Sequence, residues 1–408
     1  MAAAAIPAAI SASHRRQRLF AGGIVSDGIV SDGTGLLFIM TMNRKIIAVA
    51  SAALVLGIGT AGLWPKSAAT VSAPFAPSWP EVERVKAPID ALFADRAAMG
   101  ETRALLVLRD GKPIYERYAP GYGPDSKLIS WSMAKSVTAV LIGFLVADGR
   151  LALDAPAPVA AWQRPGDPRG AITLRHLLHM SAGLEHIEAV DPAWEGDTVA
   201  MLFGSGAGDM AAFAEGKPPV AKAGEQYNYS SATSVILSDI IADTLAPGGN
   251  AAARRGAVLD FLRGRLIEPA GMASLTPEFD AAGTMIGGSI MHATARDYAK
   301  FGELLRGNGV VNGQRLLPQS WTDFMRTPAP TDGGYGGHIW LNRPRPAGVG
   351  AALWPERGPN DLFACIGHQG QYIVVSPSQR LTVVRLGIST DAQIPNVRNN
   401  IATLMRGL

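Results

Sequence analysis

Two rhythms of apolar and polar positions run along this chain. In residues 103–118, RALLVLRDGKPIYERY, an apolar run is broken at Asp110-Gly111 and resumes beyond it, and Asp-Gly between two such runs predicts a tight hairpin. DLFACIG (361–367), QYIVVSP (371–377) and LTVVRLGI (381–388) are three short β-type runs joined by turn residues, which predict three more strands. At Ser132 the rhythm changes: SMAKSVTAVLIGFLVADG is apolar along most of its length and stops at Gly149. That pattern predicts a helix too hydrophobic to lie on a surface. A helix is also expected over Glu81–Arg96, and TLRHLLHM, DMAAFAEG, SSATSVILSDIIADTL and TARDYAKFGELLRG read as helices between Gly-, Pro- and Asp-rich loops. Two strands at one end, three at the other and helices between predict an α/β (α+β) fold: an antiparallel five-stranded sheet flanked by helices, with a mostly helical subdomain inserted at about 150–300.

Upstream, the pattern reads as targeting rather than fold. Arg44 and Lys45 precede an uncharged run from Ile46 to Trp64, the layout of a secretory signal, with a length that also suits a membrane anchor. The expected division is an extension at 1–39 that is not part of the working protein, a signal peptide or anchor at 40–66, a Pro- and Ala-rich tether at 67–80 and the folded domain at 81–408. The expected location is therefore exported, periplasmic, with tethering to the inner membrane if the segment is not cleaved. Apart from the duplicated GIVSD near residue 24, no internal repeat is seen.

Composition narrows the function classes. With 37 Lys plus Arg against 34 Asp plus Glu, the net charge is +3, and no basic cluster is interleaved with aromatics, so nucleic acid is not an expected partner. The single cysteine, Cys365, sits in an apolar run and reads as a buried strand residue. His176, His179 and His186 with Glu185 and Glu188 lack the His-Glu-x-x-His spacing of a metal site. No Gly-x-Ser-x-Gly elbow exists, and the glycine-rich LFGSGAGD lacks the Lys-Ser/Thr that grips phosphate; it reads as a loop over a cleft. Neither a metal nor an organic cofactor is expected.

What stands out is Ser132 and Lys135. The chain has nine lysines and one Ser-x-x-Lys. A serine hydroxyl needs a base to become a nucleophile, and a lysine whose pKa is lowered by burial can serve. Positions i and i+3 share a helix face, and a serine opening the helix offers its backbone N–H, at the positive end of the dipole, to a developing oxyanion.

The order SMAK at 132–135, YSS at 229–231 and HQG at 368–370, with TLRHLLHMSAGL, EPAGM, GGSIMHATARDYAKFGELL and GHQGQYIVVSP around it, resembles the serine β-lactamase and penicillin-binding-protein superfamily. More narrowly it resembles its class C-like hydrolases, among them esterases, D-amino-acid peptidases and 6-aminohexanoate-dimer hydrolases. The resemblance implies a β-lactamase-like fold with Ser132 as nucleophile, Lys135 as its activating partner and Tyr229 as the tyrosine of the Tyr-x-Asn motif. Tyr227 competes for that role. A phenol hydrogen-bonded to an ammonium becomes more acidic, so Tyr229 beside Lys135 is expected to exchange protons with Ser132 and the leaving group. Ser231 stands where many relatives have Asn, which puts their substrate-amide contact in doubt here. His368-Gln369-Gly370 takes the place of Lys-Thr-Gly, so a neutral imidazole replaces the lysine that binds a β-lactam carboxylate, which favours an esterase or amidase. Gly370 would let substrate approach, and the N–H groups of Ser132 and Gln371 would form the oxyanion hole.

The function implied is hydrolysis of a small ester, amide or peptide-like substrate through a Ser132 acyl-enzyme. The alternative is a penicillin-binding or sensor-type protein that acylates with little turnover. Substrate identity and oligomeric state are open at this stage; the cleft is expected to be lined from loops 185–210 and 330–360, with Arg357 as a residue that could meet a carboxylate.

Overall fold

The computed structural model describes residues 80–408. The segments assigned above to extension, signal or anchor, and tether lie outside them, save Pro80. Among the described residues no helix is long and apolar enough to cross a membrane.

The helix expected at 81–96 is broken into Pro80–Arg84, α1 (Lys86–Ala94) and a single turn, Arg96–Met99. Asp95 makes the second break, its carboxylate accepting from Ala98 N at 2.9 Å, because a side-chain acceptor at that position satisfies a new helix start rather than a continuing one. Next come β1 (Glu101–Arg109) and β2 (Lys112–Tyr118), joined as the pattern predicts by Asp110 (φ 50°) and Gly111 (φ 76°), the doubly positive pair of a type I′ turn.

The main sheet has six strands, all antiparallel, in the order β2-β1-β6-β5-β4-β3. Here β4 is Phe363–Gly367, β5 is Gln371–Ser376 and β6 is Leu381–Ile388. The strand beyond the expected five is β3, Trp340–Leu341, too short to show an alternation of its own. Strands β1 and β6 pair from Glu101 opposite Ile388 to Arg109 opposite Leu381, with a register shift between Thr102 and Ala104, so the sheet joins the two ends of the domain.

Alternation along β1 sorts its side chains to two cores. Leu105 and Val107 pack with α1 and with α5 (Ile394–Gly407), a terminal helix that the strand-focused reading of the sequence did not anticipate. Its buried Val397, Ile401, Leu404 and Met405 recur at helical spacing. Ala104, Leu106 and Leu108 face the opposite side, where α2 (Ala134–Ala147), α3 (Ser231–Leu245) and α4 (Ala295–Arg306) form the larger core. α2 is buried from Ala134 through Leu145, as its composition requires, and it ends where Gly149 takes φ 70°. The fold is thus a sheet between terminal helices and a mainly helical body, and the nucleophile helix is central.

Candidate active site

Ser132 lies in a 3-10 turn, Trp131–Met133, that runs directly into α2. Two contacts fix this turn. Ser130 accepts at its Oγ from Met291 N (3.0 Å) and donates its own N–H to Met291 O (2.8 Å). Gly367, at the end of β4, approaches so closely that a Cβ there would stand 2.2 Å from Ser130 O. Trp131, immediately before the nucleophile, holds φ 43°, a left-handed conformation that a bulky residue adopts only when its surroundings impose it.

Lys135 follows one turn on, with 1% of its surface exposed. Its Nζ meets Ser132 Oγ at 3.1 Å, Ser231 Oγ at 2.8 Å and Gly288 O at 2.6 Å. Ser231, the first residue of α3, donates from its hydroxyl to Glu188 Oε1 and from its backbone N–H to Glu188 Oε2, both at 2.7 Å. Glu188 also meets His186 Nε2 (2.8 Å) and Thr198 Oγ1 (2.9 Å), and it stands 3.9 Å from Lys135 Nζ. Burial pushes the Lys135 amine down to about 8, against the opposing pull of Glu188. For Glu188, burial would raise the carboxyl, yet Lys135 and the bonds from His186 and Ser231 outweigh it and hold the group down to about 2. Glu188 is therefore a fixed negative charge throughout the working pH range.

Tyr229 lines the cleft, its ring stacked on Trp340 (5.4 Å) and edge-on to Tyr335 (5.9 Å). Burial and the Glu188 charge push its phenol above its ordinary value, against a smaller lowering by Ser132. Lys135 meets Tyr229 over the ring face, 4.8 Å from the centroid. The expected acidification of this tyrosine is thus corrected: the ammonium lies over the ring, burial dominates, and the phenol keeps its proton. Tyr227, the competing tyrosine, leaves its hydroxyl buried without a partner and packs on Tyr335.

The cleft itself, about 270 Å³, is walled by Ser132, Glu188, Tyr229, Trp340, His368 and Asp391 together with the turn through Gly370. His368 is exposed at its rim, edge-on to Trp131 at 5.5 Å. Gly370 has φ 80°, and a Cβ on it would stand 2.7 Å from Arg385 Nη1, so the absent side chain is required by the packing behind the turn. Gln371 opens β5 opposite Gly367; its buried side chain donates to His368 O (3.0 Å) and Gly387 O (2.6 Å) and accepts from Gly387 N (3.0 Å). Ser231 lies behind the wall in the Lys135–Glu188 network, not among the lining residues.

The remaining candidates separate in space. His176 completes a capping box with Thr173, and His179 stacks on Phe324 at 5.0 Å. Cys365 is buried, its thiol pushed up to about 12 by that burial, which leaves it unreactive. Of the two long loops, 185–210 contributes Glu188 to the cleft and 330–360 contributes Trp340, while Arg357 bonds Asn399 at 2.6 Å. Glu188 entered the sequence reading only as part of the rejected metal cluster and the Gly288 carbonyl not at all: the first is one acid among several in EHIEAVD, and the second is backbone.

Comparison with known proteins accords with this geometry. A 6-aminohexanoate-dimer hydrolase of Paenarthrobacter ureafaciens is 26% identical over 301 residues, covering 70% of this chain and 72% of the relative. A Bacillus anthracis structure provisionally described as a 6-aminohexanoate-dimer hydrolase superposes with TM-score 0.58 at 22% identity, covering 75% of this chain and 80% of that one. A D-stereospecific amidohydrolase from Streptomyces does so with TM-score 0.53 at 20% identity, covering 77% and 98%. At these identities the structural likeness shows the fold. The Beta-lactamase family profile matches residues 89–393, well over half of the sequence, and the chain belongs to the Beta-lactamase family.

Proposed function

We propose that this protein is a serine hydrolase that cleaves an ester or amide through an acyl-enzyme on Ser132. The observation that carries the reading is the set of three partners around Lys135 Nζ. Gly288 O can only accept, and the Ser231 hydroxyl spends its proton on Glu188, so it too must accept from Lys135. A neutral amine has two N–H donors and one lone pair. With both donors committed, the lone pair is left for the Ser132 hydroxyl.

With its pKa near 8, about one tenth of the amine is neutral at pH 7. In that state Lys135 takes the Ser132 proton as the oxygen attacks the carbonyl. The oxyanion rests on the N–H groups of Ser132 and Gln371, the first at the start of the helical run and the second at the head of β5. Tyr229, which lines the cleft with Ser132 and keeps its proton, is the donor to the leaving group rather than a base. The Lys135 ammonium then returns the proton it took from Ser132 to Tyr229, which restores the neutral amine, and water attacks the Ser132 ester with Lys135 again as base, its proton passing to Ser132 Oγ as the acid leaves.

Relatives described as a 6-aminohexanoate-dimer hydrolase and an amidohydrolase support small linear amides and esters as the substrate class. Export rests on segment 44–64 of the sequence.

The test is mass spectrometry of the whole protein after incubation with a fluorophosphonate. One adduct is expected, absent from Ser132→Ala, and turnover of a short ester should follow a burst. An adduct that survives the substitution would refute the nucleophile. A stable acyl-enzyme without turnover would favour the penicillin-binding, sensor-type alternative.

A further inference from the structure

Behind the His368–Gly370 turn lies a second, smaller pocket of about 90 Å³. Gln369 lines both this pocket and the cleft that holds Ser132, so the two adjoin across one residue. The other walls include Arg103 near the start of β1, Leu128, Ile129, Trp131 and Ile388.

Two side chains on these walls keep N–H groups without an acceptor among the described residues. Arg103 is fastened through Nε, which bonds Glu101 Oε2 at 2.9 Å, and its guanidinium lies 5.1 Å from the Tyr122 ring centroid. No described residue accepts from its terminal nitrogens. Trp131 Nε1 is buried and likewise has no acceptor, although a buried indole N–H ordinarily finds one. The surrounding charge is positive. Glu101 is shared between Arg103 and Arg96 (3.5 Å), and Arg385 lies buried behind the same turn, bonded to the carbonyls of Gln369 and Gly370.

A guanidinium with its outer N–H groups unused fits the two oxygens of a carboxylate, and Leu128, Ile129 and Ile388 supply apolar wall for the methylenes that would carry it. We propose that this pocket is a subsite for a carboxylate borne by the substrate, with Arg103 as its ion-pair partner. It rests on the serine-hydrolase reading above and narrows the substrate to short linear esters or amides with a free acid group. The anion is then held on the far side of Gln369 from the cleft.

The test uses two 4-nitrophenyl esters of matched chain length, the mono-ester of glutaric acid and the pentanoate, with the full-length protein, Arg103→Met and Arg103→Lys. The wild type should prefer the glutarate ester. Arg103→Met should lower kcat/KM for that ester about 10- to 100-fold more than for the pentanoate, chiefly through KM, and Arg103→Lys should restore part of the difference. Equal losses on the two esters, or no change in their ratio, would overturn the subsite. If neither ester is turned over, the hydrolase reading fails by itself. Calorimetric titration of glutarate into Ser132→Ala then decides the subsite: binding abolished by adding Arg103→Met upholds it, and absence of binding before that change overturns it.

Discussion

Lys135 and Arg385 are the two fully buried cations among the described residues, and they solve the same problem differently. Lys135 sits 3.9 Å from a carboxylate and touches a hydroxyl in the cleft. Arg385 has no carboxylate partner; it donates to the carbonyls of Gln369, Gly370, Met99 and Glu101 and to the hydroxyls of Thr102 and Ser389. Burial lowers both, Lys135 to about 8 and Arg385 to about 10. Only the first lands where a proton can be lost near neutral pH. Burial alone therefore does not make a catalytic base. What separates the two is a side chain able to deprotonate, a nucleophile within reach and acceptors that occupy the other donors. Arg385 instead holds the turn that carries His368 and Gln369, so its contribution is shape.

The largest effect that could break this comparison is on activity. Lys135→Met and Lys135→Arg should each lower kcat/KM for any ester by about 10³-fold or more, the arginine as severely because a guanidinium cannot act as the base. Near-wild-type turnover in Lys135→Arg would contradict the assignment. Stability should respond less to the lysine than to the arginine. Lys135→Met leaves Glu188 without its cation at 3.9 Å and Gly288 O without its donor, and should cost about 1–3 kcal/mol in urea unfolding. Arg385→Met strands several buried carbonyls and should cost on the order of 3–5 kcal/mol, read from the denaturation midpoint. Equal stability losses in the two would erase the contrast.

A smaller effect sharpens it. The Glu188 charge raises the Lys135 pKa, so Glu188→Gln should let it fall, and half-maximal activity should move from near pH 8 to a lower pH. Relative to its own maximum, the variant should be more active at pH 6.5 than the wild type, while its absolute rate drops about tenfold as Ser231, which donates to both carboxylate oxygens, loses one of its two acceptors. A shift toward higher pH would show that Glu188 acts on something other than the lysine.

Local chemistry was legible in the sequence, and chemistry assembled from afar was not. Ser132 and Lys135 share one helical turn, so their proximity follows from spacing alone, and the Asp110-Gly111 hairpin follows from turn geometry. The three C-terminal strands carried enough β-branched residues to be seen. Glu188 could not be chosen over Glu185 because its partners come from α2, α3 and Thr198, separated from it in sequence. The protonation of Tyr229 depends on which part of its ring faces Lys135, which no spacing encodes. Trp340–Leu341 offers two residues, too few for a pattern, yet it places Trp340 against Tyr229. The α5 repeat was regular in the sequence, but its meaning as a cover for β1 and β6 depends on the sheet order.

The central claim is that Ser132 is activated by the neutral form of Lys135, and the direct measurement is the rate at which a fluorophosphonate phosphonylates Ser132, with loss of fluoride, from pH 6 to 10. The rate should climb about tenfold per pH unit at the acid end and level off above a midpoint near 8, since the attack requires the fraction of Lys135 that has lost its proton. A rate independent of pH over that range, on protein that stays folded, would contradict the account.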